Sequence, residues 1–105
     1  MAKYLLVYHG GSMPETEEEQ QRVMAAWTDW YTALGASVVD PGNPIGRTST
    51  VSSDGSVAEG GGANPASGYT VVEADDMDDA VAKSKGCPVL LGGGSVEVAE
   101  TFDVM

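Results

Sequence analysis

The chain has 105 residues, 42% of them hydrophobic and 20% charged, the size and make-up of one globular domain with one core. Five Lys plus Arg stand against 16 Asp plus Glu, a net charge of −11. That field repels phosphate backbones and anionic lipid, so nucleic acid and membrane surfaces are not expected as partners.

Lys3 to His9 reads as a strand, with Tyr4 to Tyr8 apolar on both faces and Gly10-Gly11 ending it. Such a strand belongs inside a sheet covered on both sides. The opening run is too short for a signal peptide or a membrane span, and a cytoplasmic location is the expectation. Thr16-Glu17-Glu18-Glu19 then fits a helix capping box, with acidic residues at the positive end of the helix dipole. Val23, Trp27, Trp30, Tyr31 and Leu34 recur at helical spacing, and Gly35 suits the position past the end. Trp27, Trp30 and Tyr31 read as the core-facing stripe; the other reading is an aromatic pocket for a flat ligand.

Ala36 to Asp40 reads as a second, short strand, closed by Pro41-Gly42-Asn43-Pro44. Residues 41–68 are rich in Gly, Ser, Thr and Pro, with Asp54-Gly55 as a hairpin signal after Thr48 to Ser52. This is an excursion carrying a hairpin, since neither flank is large enough to fold alone. Tyr69 to Ala74 reads as a strand and Asp75 as a helix N-cap, followed by Met77, Ala80, Val81 and Ser84 as a narrow packing face. Gly86 and Pro88 end that helix, and Ser95 to Met105 alternates as a final strand.

Two β-α-β halves in this order make an α+β, ferredoxin-like split β-α-β sandwich with an inserted β-hairpin, one domain spanning 1–105. Both helices fall on one face of the sheet. The other face is too apolar to stay bare, so a homodimer is expected to cover it.

Several segments carry a family resemblance: Lys3 to Tyr8, the helix of Trp27 and Trp30, Val39-Asp40-Pro41-Gly42, Gly68 to Asp75, Lys85-Gly86-Cys87-Pro88 and Gly94 to Val98. Together they resemble the YCII-related family over nearly the whole chain. The resemblance implies a dimeric α/β barrel, with two sheets packed face to face and a cavity beside or between them. Some relatives are dehalogenases or cleave small ring compounds, and a His–Asp pair in a cleft has been suggested for some. Here the first helix contains no His, while Asp40 matches the Asp. The family's Asp-Gly-Pro-Phe motif is represented by Asp54-Gly55-Ser56-Val57.

His9 is the single histidine, at the end of the first strand, and Asp40 ends the second. A carboxylate orienting an imidazole suits general acid–base catalysis, so His9 and Asp40 are the catalytic candidates. Glu73 and Glu97 are candidate ligand-binding carboxylates on strands, and the loop holding Pro41, Asn43 and Arg47 is a candidate lid. Cys87 reads as an inert thiol. One His and one Cys make no protein metal site, and no glycine cluster is followed by the Lys of a phosphate loop, so no cofactor is expected. The expected function is acid–base chemistry on a small molecule, as a lyase, isomerase or hydrolase. The alternative is a non-catalytic dimeric module that binds a small molecule or a protein.

Overall fold

A computed structural model of the chain describes residues 2–11 and 14–104. Six strands and two α-helices follow in the order β1 (Ala2–His9), α1 (Glu17–Leu34), β2 (Val38–Asp40), β3 (Ser49–Val51), β4 (Val57–Glu59), β5 (Ala66–Ala74), α2 (Met77–Ser84) and β6 (Ser95–Glu100). Short 3₁₀ turns at Gly35–Ser37 and Pro88–Gly92 complete the set. β2, β5, β1 and β6 form one antiparallel sheet in that order, which is the ferredoxin-like arrangement; β3 and β4 pair separately as the inserted hairpin.

The caps explain where the helices begin. Thr16 Oγ1 accepts from Glu19 N at 3.1 Å, while the Glu19 carboxylate reaches Glu15 N at 3.2 Å. The second helix begins one residue later than its sequence suggests: Asp76, not Asp75, is the N-cap, accepting from Asp79 N at 2.8 Å. Asp79 in turn accepts from Asp75 N and from Lys83 Nζ, at 3.0 and 2.6 Å. The Lys83 bond, reinforced by the one from Asp75, holds the Asp79 carboxyl below the usual carboxylate range.

Strand bounds also differ from the sequence reading. Residues 35–37 tighten into a 3₁₀ turn, so β2 is only Val38–Asp40. β5 begins three residues earlier than Tyr69, where Pro44 bridges Gly68 and Ile45 N donates to Ser67 O. β6 stops at Glu100, opposite Tyr4, and Thr101 makes one further bond, from its N to Lys3 O at 3.1 Å. The alternation out to Val104 is therefore not a strand, and Met105 lies outside the described residues.

Alternation sorts the sheet into two faces. Tyr4, Leu6 and Tyr8 of β1, Gly68, Thr70, Val72 and Ala74 of β5, and Val96 and Val98 of β6 share the face beneath the helices. Trp30, Ala80 and Cys87 close the core over them. On the opposite face Leu5, Val7, Tyr69, Val71 and Ala99 stay half-buried with no helix above them. The hairpin projects outward, leaving Val51 and Val57 exposed, and the radius of gyration is 15.1 Å against about 13 Å for a compact chain of this length.

Buried phenol and thiol groups set the alkaline limit of this core, Tyr8 and Cys87 among them. Burial pushes the Tyr8 phenol far up, against the lowering effect of its Thr70 hydrogen bond. Burial likewise raises the Cys87 thiol. Both stay neutral when folded but ionise at their ordinary values, 10.0 and 9.0, once unfolded. The unfolded chain then binds fewer protons, so stability is complete below pH about 9 and falls as pH rises above it. Urea midpoints measured across this range are expected to hold level and then decline, and a level profile to pH about 11 would contradict the burial argument.

Candidate functional site

Two places in the molecule gather chemistry, and they lie on opposite faces of the sheet. The first is a cavity of about 370 Å³ between α1 and the chain leaving β2. Tyr8, Trp27 and Tyr31 line it together with Met24 and the loop 41–44. The Trp27 ring sits 5.4 Å from Tyr8, edge to face, and 5.8 Å from Tyr31. Of the α1 stripe only Trp30 is buried, its indole N–H donating to Lys83 O at 3.0 Å. Trp27 and Tyr31 are only partly covered because they wall a cavity, so the pocket reading of these rings applies to two of the three.

A hydroxyl chain holds the cavity's rim. Tyr8 donates to Thr70 Oγ1 at 2.5 Å, and Thr70 donates to the Pro41 carbonyl at 2.9 Å. Tyr31 donates to the same carbonyl at 3.1 Å. The loop is thereby tied to β5 rather than free to swing. Asn43 O accepts from Tyr69 N at 3.3 Å, and Gly42 lies flat on the Tyr69 carbonyl with φ +74°. Pro41 and Asn43 do line the cavity, as a wall and not as a lid. A larger, more open groove of about 560 Å³ adjoins it across Trp27, Ser67 and Val89, and Gly10, Gly11 and Arg22 line its far side.

The second place is His9. Its ring lies on the bare face, with Nδ1 at 2.9 Å from Asn64 O and 3.3 Å from Pro65 O. Nε2 is 3.0 Å from Glu97 Oε1. The imidazole is 12% exposed and the carboxylate 65%, so the pair opens to solvent through Glu97. Both ring nitrogens face oxygen atoms, those of the Asn64 and Pro65 carbonyls and of the Glu97 carboxylate.

The structure does not bring Asp40 to His9. Asp40 and Leu5 both stand opposite Val71, while His9 is four residues beyond Leu5. Two strand spacings and four residues along the strand separate the backbones by about 16 Å. Asp40 instead accepts from Gly42 N at 2.9 Å, shaping the turn into the loop. Glu73 pairs in register with Lys3, at the other end of the sheet from His9. Arg47 meets Glu59 at 3.5 Å at the exposed root of the hairpin and lines neither cavity.

Sequence reasoning passed over Tyr8, Gly42 and Thr70. Parity offered a signal for two of them: Tyr8 shares the face of Tyr4 and Leu6, and Thr70 that of Val72. A hydroxyl on each in a covered layer requires a partner, and here they partner each other.

Among the described residues no group of three or more His, Cys, Asp or Glu is arranged to hold a metal ion. No helix among them is long and apolar enough to cross a membrane.

No family model matches the chain, and no curated protein matches it. Among solved structures it is similar to 5-chloro-2-hydroxyhydroquinone dehydrochlorinase (TftG) from Burkholderia phenoliruptrix AC1100, in complex with 2,5-dihydroxybenzoquinone. Identity is 17%, the TM-score is 0.53, and the match covers 94% of this chain and 93% of that one. A likeness of that extent shows a shared fold.

Proposed function

We propose that this chain handles a small, flat ring compound in the cavity walled by Tyr8, Trp27 and Tyr31. The carrying observation is the cavity itself: its three clustered rings and uncharged lining suit an apolar plane, and its rim is held by hydrogen bonds rather than by a mobile loop. The fold-sharing neighbour, an enzyme in complex with a quinone, is compatible with ring chemistry on this scaffold. Titrating the labelled protein with a panel of monocyclic arenes is expected to move the indole N–H signal of Trp27 and leave that of Trp30. Trp27→Ala is expected to abolish binding. A panel that moves neither signal would remove this reading.

A second, catalytic reading places acid–base work on His9 and Glu97, favoured by the oxygen acceptors at both ring nitrogens. It predicts chloride release from a chlorinated hydroxyhydroquinone by the wild type and loss of that release in His9→Gln. Equal rates in both proteins would take His9 out of the chemistry.

We also propose that two copies cover the bare sheet face. Leu5, Val7 and Val71 there form a contiguous apolar strip without a helix above it. Sedimentation at micromolar concentration is expected to give a dimer, and Leu5→Asp a monomer. A wild-type monomer would overturn this.

A further inference from the structure

The cavity is larger than one ring needs. A dry apolar cavity of about 150 Å³ is enough to hold benzene. This one measures about 370 Å³ and meets the groove of about 560 Å³ at Trp27, Ser67 and Val89. The helix explains why the two spaces run together. Met24, Trp27, Thr28 and Tyr31 follow one another at steps of three, one and three, and line the cavity. Glu19, Arg22, Val23 and Ala26 repeat those steps on the neighbouring stripe of α1, and line the groove. Trp27 borders both.

The groove offers hydrocarbon and no charge in want of a partner. Val23 and Leu91 line it as open apolar side chains, 39% and 85% exposed. A Cβ on Gly11 would lie 3.3 Å from Val89 Cγ2, and one on Gly94 2.7 Å from it. The two bare backbones thus let Val89 settle at the junction of cavity and groove. The charged members, Glu19 and Arg22, are opposite in sign and engaged within α1 and its cap. Glu19 accepts from Glu15 N at 3.2 Å, and Arg22 meets Glu18 at 3.9 Å. A ligand segment lying here gains by burying apolar surface.

Resting on the reading of the cavity as the ligand site, we infer that its ligand is a ring carrying an uncharged hydrocarbon tail. The ring lies against Trp27 and Tyr31, and the tail runs over Val89 to Val23. Trp27 and Val23 are four residues apart on α1, about 6 Å along its axis, which an alkyl chain of about five carbons spans. Ala26 is then the residue that makes room for the tail, because its methyl group leaves the groove open beside Trp27.

The test titrates the full chain with toluene, propylbenzene and pentylbenzene, in the wild type and in Ala26→Leu, with the Trp27 indole N–H as readout. Each added methylene is expected to tighten wild-type binding about threefold. Toluene should bind both proteins equally, which also reports that the variant keeps its fold and its cavity. Pentylbenzene should bind Ala26→Leu at least about tenfold more weakly than the wild type, because leucine fills the path of the tail. In the wild type, the terminal methyl of pentylbenzene is expected to give nuclear Overhauser contacts to the Val23 methyls, a reading that does not depend on the variant. Affinities that stay level from toluene to pentylbenzene overturn the inference while leaving the cavity a ligand site. So does a gain that Ala26→Leu leaves intact, or a terminal methyl that contacts Asn43 in place of Val23. Failure of all three probes to move the signal overturns the cavity reading, and this inference with it.

Discussion

Gly42→Ala is expected to destabilise the protein by about 3–4 kcal/mol and to abolish arene binding. A Cβ at this position would lie 1.7 Å from the Tyr69 carbonyl oxygen and 2.6 Å from its carbon. Both atoms are backbone in a strand paired on two sides, so they cannot turn away as a side chain would. The φ of +74° adds a left-handed cost of about 1–2 kcal/mol for any residue with a Cβ. Relief requires the loop 41–44 to lift off β5, which breaks the Tyr69–Asn43 bond and spreads the cavity wall. Gly55 provides the control. It too has positive φ, at +88°, but its Cβ would meet nothing within 4 Å. Gly55→Ala should therefore cost only the backbone share, about 1–2 kcal/mol. Urea unfolding of the two variants measures the difference, and equal losses would show that the close approach at Tyr69 is not what holds the loop.

Thr70→Val removes about as much by a different route. Thr70 is fully buried, and its hydroxyl both accepts from Tyr8 and donates to Pro41. Valine keeps the shape and loses both bonds. The Tyr8 hydroxyl is then left buried without an acceptor, at about 1–3 kcal/mol, and the Pro41 carbonyl keeps Tyr31 as its remaining donor. A total loss of about 3 kcal/mol is expected from the urea midpoint at unchanged slope. Thr70→Ser keeps the oxygen and gives up only a methyl group, for about 1 kcal/mol. If valine proved as stable as serine at this position, the hydroxyl chain would have no structural weight.

Both variants act on residues whose types are plain in the sequence but whose partners are not. Pro41-Gly42-Asn43-Pro44 reads as a chain-reversing loop from its residue types, yet the close approach to Tyr69 belongs to strand pairing 27 residues downstream. The α1 stripe reads correctly as helical, though Val23 is exposed and only Trp30 is buried. That Trp27 and Tyr31 wall a cavity while Trp30 seals the core depends on how α1 lies over β1 and β5.

His9 shows the same division. Its type and its place at the end of β1, before two glycines, are legible from residue order. Its carboxylate is not. Asp40 and Glu97 both end or occupy strands with equal plausibility, and the choice falls to Glu97 because β6 lies beside β1 whereas β2 lies two strands away.

What this sequence determined by itself is everything set within one or two turns of chain: the capping box at Thr16, the helical stripe and the Asp54-Gly55 turn. Those features rest on hydrogen bonds and rotamer preferences between near neighbours, which residue order states directly. The tertiary structure alone decided that His9 meets Glu97, 88 residues away, and that Tyr8 meets Thr70, 62 away. Contacts of that span follow from strand order and from the packing of a helix on a sheet, and many pairings of the same elements satisfy the same local signals.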